Sequence, residues 1–234
     1  MFAQSAVRTP DHRFQAYLAR RPKPGSGDGT DSKHSWRVVP NLARGMELTG
    51  INQLWVADIT YLHLAEQFAY LAFVLDAFSR MVIGWALELH LRASLAVDAL
   101  KMAISARAPV AGSLIHHSDR GVQYACSSYS DILHAHGIQP SMSRVGNPYD
   151  NARAESFMKT LKQEEVAGLA YRDASDARRR IASFIEDVYN RQRLHSALDY
   201  LTPEEYEQSL SSSHASAVPE LTSRQLSCNF SVSL

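Results

Sequence analysis

Leu54-Trp-Val-Ala-Asp-Ile-Thr-Tyr-Leu62 is a run of apolar and β-branched residues interrupted by a single acid, Asp58. Such a run predicts a buried strand. A carboxylate in these largely dry surroundings is costly unless a partner or a metal ion compensates its charge. Asp58 is therefore a candidate metal ligand. The alternative, which is commoner for a single aspartate, is a residue that shapes a turn or pairs with an arginine.

The segments that follow this strand predict a layered α/β domain. Three strands are expected at 54–62, 68–75 and 81–89, and their short connections predict an antiparallel meander. Helices then alternate with short strands. The remaining predicted elements are a helix at 92–107, a strand at 113–117, a helix at 123–136, a strand at 138–142, and helices at 150–166 and 174–193. The whole pattern predicts a mixed five-stranded sheet flanked by helices.

Two further acids lie at the expected edges of other elements. Asp119 follows the predicted fourth strand, and Glu155 lies one turn into the helix that begins at residue 150. Phosphodiester chemistry often uses two divalent ions about 3.5–4 Å apart, held by a few carboxylates. We expect Asp58 to bridge two ions while Asp119 and Glu155 each complete one. Taken alone, Asp119 is more typical of an Asx turn, and a helical glutamate is usually solvated.

The helix that carries Glu155 presents other polar groups on the same side. At 3.6 residues per turn Asn151, Lys159 and Lys162 fall near Glu155. Lys162 is placed to meet a phosphate that flanks the scissile one. The alternative is an intrahelical pair of Glu155 with Lys159. Asp150 and Asn151 are expected to cap the helix.

The charge of the chain is balanced overall but uneven along its length. The net charge is zero, whereas residues 1–57 carry +4 and residues 201–234 carry −3. Basic residues within 151–200 are candidates for a path that binds DNA. The clustered ones are Arg153, Lys159, Lys162, Arg178, Arg179, Arg180, Arg191 and Arg193. The alternative is a solvated helix face on which opposite charges alternate.

Composition divides the chain into three parts. We expect a basic arm and linker at 1–47, a catalytic core at 48–208 and a poorly ordered tail at 209–234. No apolar run approaches the roughly 20 residues that span a bilayer, and the first residues lack a signal-peptide pattern. Cys126 and Cys228 suit a reducing compartment. A cytoplasmic, nucleoid-associated protein without membrane contact is predicted.

Five ordered motifs carry a family resemblance that extends over about residues 33–207. They are Trp55-Val-Ala-Asp58-Ile-Thr-Tyr, Leu75-Asp-Ala-Phe-Ser-Arg80, His117-Ser-Asp119-Arg-Gly-Val-Gln-Tyr124, Gly146-Asn-Pro-Tyr-Asp150-Asn-Ala-Arg-Ala-Glu155-Ser-Phe and Tyr189-Asn-x-x-Arg193-x-His195. The chain resembles the catalytic half of transposases of the third insertion-sequence family. That family belongs to the DDE transposase and retroviral integrase superfamily.

The resemblance implies an RNase H-like core whose catalytic and metal-binding triad is Asp58, Asp119 and Glu155. It implies Lys162 as a DNA contact, and Asp76 matches a family position outside the triad. It further implies that two ions of Mg²⁺ or Mn²⁺ activate water to nick the ends of the element. The freed 3′-hydroxyl then attacks another phosphodiester, without a covalent enzyme intermediate.

The resemblance also implies partners. These are DNA, as terminal inverted repeats and as target, and further copies of the chain assembled on that DNA. Relatives carry an upstream helix-turn-helix region that residues 1–47 do not match, so a partner chain is a candidate source of it. Two alternatives remain open. One is a hydrolytic nuclease of the same fold, and the other is a truncated remnant that binds DNA or transposase subunits without reaction.

Overall fold

The structure is a computed structural model that describes residues 39–143, 152–166 and 171–215, the last three without their side chains. Its strands are β1 (Leu54–His63), β2 (Phe68–Asp76), β3 (Val82–Glu88), β4 (Ile115–Ser118) and β5 (Gln139–Met142). Its α-helices are α1 (Ala93–Arg107), α2 (Val122–Ala125), α3 (Ser127–Ala135), α4 (Ala152–Leu161), α5 (Ala174–Ser183) and α6 (Pro203–Ala215). Wider π-helical turns at Lys162–Val166 and Phe184–Tyr189 extend α4 and α5, and Ser196–Leu198 forms a short 3₁₀ turn.

The five strands form one mixed sheet in the order β3-β2-β1-β4-β5. Strands β1, β2 and β3 pair antiparallel, joined by the short connections expected of a meander. Strand β4 pairs parallel with β1, and β5 pairs parallel with β4. The predicted mixed five-stranded sheet and its initial meander are confirmed.

Alternation along β1 sends its apolar side chains to both faces of the sheet. Leu54 is 2% exposed and Trp55 is 0% exposed, and they belong to separate cores on opposite faces. Helices α1, α2 and α3 cover the face of Trp55, contributing Leu95, Leu100, Tyr124, Tyr129 and Leu133. Helices α4 and α5 cover the face of Leu54, contributing Phe157, Leu161, Ala177 and Ile181. Strand β1 is therefore the shared centre of both cores.

Two of the predicted helices differ from the observed ones. The helix expected at 123–136 is two helices, because Cys126 between them has an extended backbone with φ −74° and ψ 154°. Ser127 and Ser128 follow it, and serine favours helix starts over helix interiors. The helix expected at 174–193 is regular only to Ser183, after which the chain widens into its π-helical turn.

The predicted boundary at residue 208 falls inside α6, which extends to Ala215. Helix α6 is held to the core by an ion pair between Glu207 and Arg107 of α1 at 2.7 Å, with side chains only 15% and 13% exposed. The remaining tail, 216–234, and the arm up to residue 38 lie outside the described residues. Among the helices of the described ranges, none is long and apolar enough to cross a membrane.

The contact between β3 and α1 depends on a residue without a side chain. A Cβ on Gly84 would lie 2.3 Å from the carbonyl oxygen of Ala99 and 2.7 Å from the backbone nitrogen of Ala103. We expect Gly84→Ala to lower the free energy of unfolding by about 2–3 kcal/mol, because the helix must move off the sheet. Urea unfolding of the purified chain measures this change.

Gly50→Ala is the matched control, because its added Cβ would meet no atom closer than Gln53 Nε2 at 3.9 Å. That substitution should change the free energy of unfolding by no more than about 0.5 kcal/mol. Equal unfolding midpoints for the two variants would contradict the close packing of β3 on α1.

Candidate active site

The candidate site lies where β1 loses one of its two neighbours. The pairing of β1 with β4 ends at Val56 and His117, whereas β1 continues to His63 beside β2 alone. Asp58 is two residues beyond the last paired position. Crevices of this kind, beyond the carboxyl end of a parallel strand, are common ligand sites in α/β sheets.

Asp58 is partly buried in this crevice, and its surroundings favour the protonated acid. Burial is the largest of the effects that raise the pKa of Asp58 to about 6, and the negative charges of Asp119 and Glu155 act in the same direction. The backbone N–H of Ile59, which donates to Asp58 Oδ1 at 2.7 Å, and the ammonium of Lys162 oppose this shift. All three predicted acids and Lys162 are therefore close enough to interact electrostatically.

Asp119 is exposed directly after the end of β4. Its Oδ1 accepts a hydrogen bond from the backbone N–H of Gly121 at 2.9 Å. The Asx turn expected as an alternative is thus formed, and it holds the carboxylate beside Asp58. A Cβ on Gly121 would lie 2.9 Å from that same Oδ1, so only glycine leaves Asp119 in this place undisturbed.

Glu155 lies in the first turn of α4, the helix that covers the sheet face of Leu54 and Phe73. Its neighbours Ala154 and Phe157 are fully buried against the sheet, while Glu155 itself is exposed. The ring of Phe157 packs on Phe73 with centroids 4.6 Å apart. Because Phe73 is the β2 partner of Asp58, this contact places the start of α4 beside Asp58.

An open pocket with a volume of about 200 Å³ adjoins Asp58 and Asp119. It is lined by Asp58, Ile59, Thr60, Tyr61, Tyr70, Leu91, Asp119, Gln123 and Tyr124. Polar and aromatic groups thus surround two of the three carboxylates, and a substrate can approach them from solvent.

The acids are neighbours without forming a closed cluster. Across residues 39–143, 152–166 and 171–215, no three His, Cys, Asp or Glu side chains are already gathered as a metal site. Carboxylates without cations between them repel one another. The donors nevertheless suit Mg²⁺, which binds hard oxygen atoms, keeps several waters and needs only one or two protein carboxylates. The residues therefore fit a divalent ion that draws them together.

The residues proposed to contact DNA lie in different surroundings. Lys162 lies beside the acids, with its Nζ 5.4 Å from the centre of the Tyr61 ring, and Lys159 is exposed on α4. Arg153 is half-buried and interacts with the charge of Asp76. Asn151, with Asp150, lies outside the described residues.

Most of the other arginines already have acidic partners. Arg193, which we expected at the DNA, forms an ion pair with Glu164. The triple arginine run is likewise paired, Arg178 with Glu88, Arg179 with Asp176 and Arg180 with Glu165. These pairs favour the alternative of a solvated helix face for this part of the surface.

Asp76, the motif acid outside the triad, has a structural place. It is fully buried, and its carboxylate accepts hydrogen bonds from the backbone N–H groups of Asn52, Phe78 and Ser79 at 2.7, 2.9 and 3.1 Å. These bonds fix the turn between β2 and β3 against the chain that enters β1.

The adjacent histidines of β4, His116 and His117, face opposite sides of the sheet. His116 accepts or donates at Nε2 to the hydroxyl of Tyr129 at 2.9 Å, whereas His117 bridges the hydroxyls of Ser141 and Ser143 at 2.8 and 2.9 Å. Sequence reasoning did not assign Gln123 or Tyr124 to the pocket. Their position in the same motif as Asp119 was the available signal.

The fold and the grouped acids define the class of this domain, an integrase core. Two family models described as integrase core domain match residues 49–148 and 136–203. The chain also resembles a chain in the cryo-EM structure of the simian T-cell lymphotropic virus intasome in complex with PP2A regulatory subunit B56 gamma. That match has a TM-score of 0.51 and 16% identity, and it covers 78% of this chain and 60% of the other. The fold is RNase H-like.

Similar proteins of known name specify the kind of integrase core more closely. The chain is 41% identical over 169 residues to the transposase for insertion sequence element IS904 of Lactococcus lactis, covering 72% of this chain and 66% of the relative. It is 42% identical over 175 residues to transposase InsF for insertion sequence IS3A of Escherichia coli K12, covering 74% and 60%. The chain belongs to this family of insertion-sequence transposases. It spans about 60–66% of the length of these relatives.

The pKa of Asp58 predicts a dependence of stability on pH in the absence of metal ions. The folded-state pKa of about 6 lies above the ordinary value of 3.8, so the folded protein holds this proton more tightly than the unfolded chain. The contribution of Asp58 to the free energy of unfolding should therefore fall as pH rises from about 4 to 6. Asp58→Asn, which cannot ionise, should remove on the order of 2–3 kcal/mol of this loss.

Urea unfolding between pH 4 and 7 in the presence of EDTA measures this effect. Asp98→Asn on the exposed side of α1 is the control and should keep the wild-type pH dependence. An Asp58→Asn variant with the same slope as wild type would contradict a buried, high-pKa carboxyl at this position.

Proposed function

We propose that this chain is the catalytic part of a DDE transposase, which nicks the ends of an insertion sequence and joins the freed 3′-ends to target DNA. One observation carries the proposal. Asp58, Asp119 and Glu155 come from a strand, a strand end and a helix, and they interact electrostatically beside an open pocket. The activity of the insertion-sequence relatives supports the same reaction.

The three carboxylates would hold the divalent ions, Mg²⁺ or Mn²⁺, and two ions would complete the site. When bound, such ions activate the attacking oxygen and stabilise the leaving oxygen of a phosphodiester. Asp58 is central, because the charges of Asp119 and Glu155 raise its pKa and the ammonium of Lys162 lowers it. Nearby cations would favour its ionised form and reverse the effect of burial.

The substrate is proposed to reach the acids along the surface of α4. Lys162 is the leading DNA contact, because it lies beside both Asp58 and Tyr61. Lys159, one turn earlier, extends the same positive surface. Asn151, Arg153 and Arg193 complete the proposed set, although Arg193 would exchange its partner Glu164 for a phosphate.

The proposed partners follow from the reaction. They are the terminal inverted repeats, target DNA and further copies of this chain assembled on them. A separate chain that carries a helix-turn-helix would supply recognition of the repeats. Work on genomic DNA implies a place in the cytoplasm, at the nucleoid.

The central test is a strand-transfer assay with Asp58→Asn. The purified chain is incubated with labelled duplex DNA that ends in its own element's repeat, together with Mg²⁺ or Mn²⁺, and products are resolved on a denaturing gel. Wild type should yield nicked and joined strands. Asp58→Asn should lower both by at least about 100-fold, because it removes ligand charge at nearly constant volume.

Asp98→Asn should keep wild-type activity in this assay, since it makes the same chemical change at an exposed position of α1. Unchanged cleavage by Asp58→Asn would sink the assignment of the triad. Nicked strands without joined ones, under the same conditions, would instead identify a hydrolytic nuclease.

Lys162→Ala should weaken binding to DNA without weakening binding of Mn²⁺. One lost phosphate contact should reduce the slope of log affinity against log salt by about 1. Fluorescence anisotropy with a labelled duplex at several salt concentrations measures the slope. Lys101→Ala, at an exposed position of α1, should leave it unchanged. Equal slopes for the two variants would exclude Lys162 from the DNA surface.

A further inference from the structure

Tyr124 is held rigidly in the wall of the acidic pocket. It lies in α2, five residues after Asp119, and only 4% of it is exposed. Its ring packs edge-on against Tyr129 of α3, with centroids 5.3 Å apart and an interplanar angle of 86°. The ring has little freedom to move, so the position of its hydroxyl is set by the core on this face of the sheet.

The hydroxyl of Tyr124 is buried and has no hydrogen-bond partner among residues 39–143, 152–166 and 171–212. Buried polar groups are almost always paired, because an unpaired one loses its bonds to water without replacement. The neighbouring Tyr129 follows that rule, since its hydroxyl bonds to His116 at 2.9 Å. Tyr124 is therefore an exception within a well-packed core, and such exceptions call for a function.

The candidate acceptors for the Tyr124 hydroxyl are the carboxylates of the site. Tyr124 lines the pocket together with Asp58 and Asp119. Burial raises the pKa of Tyr124, and Tyr129 and then the charges of Asp58 and Asp119 raise it further. The phenol thus stays protonated, which leaves it able to donate a hydrogen bond to an ionised carboxylate.

We propose that Tyr124 is a positioning residue, whose hydroxyl donates a hydrogen bond to the Asp58 carboxylate when divalent ions bind and so fixes that ligand's orientation. The inference rests on the proposed function, because it takes Asp58 to be a metal ligand. Groups that bond to metal ligands orient them and strengthen metal binding. Asp58 and Tyr124 line the same pocket, so the Asp58 carboxylate is the candidate acceptor for this buried hydroxyl.

Tyr124→Phe tests the inference, because it removes the hydroxyl and keeps the ring. Isothermal titration of the full chain with Mn²⁺, without DNA, should show a loss of affinity of about tenfold. The thermal midpoint of the metal-free variant should equal or exceed that of wild type, because an unpaired buried hydroxyl is removed. Wild-type affinity for Mn²⁺ in Tyr124→Phe would overturn the inference.

Tyr129→Phe is the matched control, since it removes a neighbouring hydroxyl that bonds to His116. It should lower the thermal midpoint and leave Mn²⁺ affinity unchanged. An equal loss of Mn²⁺ affinity in both variants would overturn the inference, because it would trace the loss to general packing.

Asp58→Asn separates this inference from the proposed function. Its Mn²⁺ affinity should fall further than that of Tyr124→Phe. Wild-type Mn²⁺ affinity in Asp58→Asn would overturn the metal site and the role of Tyr124 together. Loss of affinity in Asp58→Asn, with wild-type affinity in Tyr124→Phe, would overturn the role of Tyr124 alone.

Discussion

The site depends on the point at which β1 and β4 stop pairing. Up to Val56 and His117 the two parallel strands are bonded, and both cores are built on that central pair. Beyond it β1 continues with β2 alone, so one edge of β1 is open to solvent at Asp58. The same divergence lets the chain turn at Asp119 and brings its carboxylate beside Asp58. A longer pairing would close the crevice and separate the acids from any substrate.

The arrangement opposes the ionised state of Asp58. Burial and two neighbouring carboxylates raise the pKa of Asp58, and Lys162 offsets only part of that effect. The ionised Asp58 therefore makes the folded chain less stable at neutral pH than an uncharged side chain at this position would. Bound cations would offset the repulsion, so ion binding and stability would be linked. Two contacts hold the acids in place against their mutual repulsion. The ring of Phe157 packs on Phe73, and the backbone N–H of Gly121 donates a hydrogen bond to Asp119.

The sequence predicted the fold and the site to different depths. Strong apolar runs located all five strands, and the run around Asp58 identified the central one, because strand burial leaves a clear local pattern. The break at Cys126 and the length of α6 were missed, since they depend on a local cap and on the distant pair of Arg107 with Glu207. The ion pair of Arg193 with Glu164 and the burial of the Tyr124 hydroxyl depend on packing between elements. The spacing of residues along the chain does not predict such contacts.

The central claim is that acids from three elements form one site for divalent ions. Crystals of the full chain grown with Mn²⁺, with diffraction measured near the manganese absorption edge, test it most directly. The account predicts anomalous density between Asp58, Asp119 and Glu155, with the Asp58 carboxylate in contact with it. Anomalous density bound elsewhere on the chain, or its absence between these acids at saturating Mn²⁺, would contradict the account.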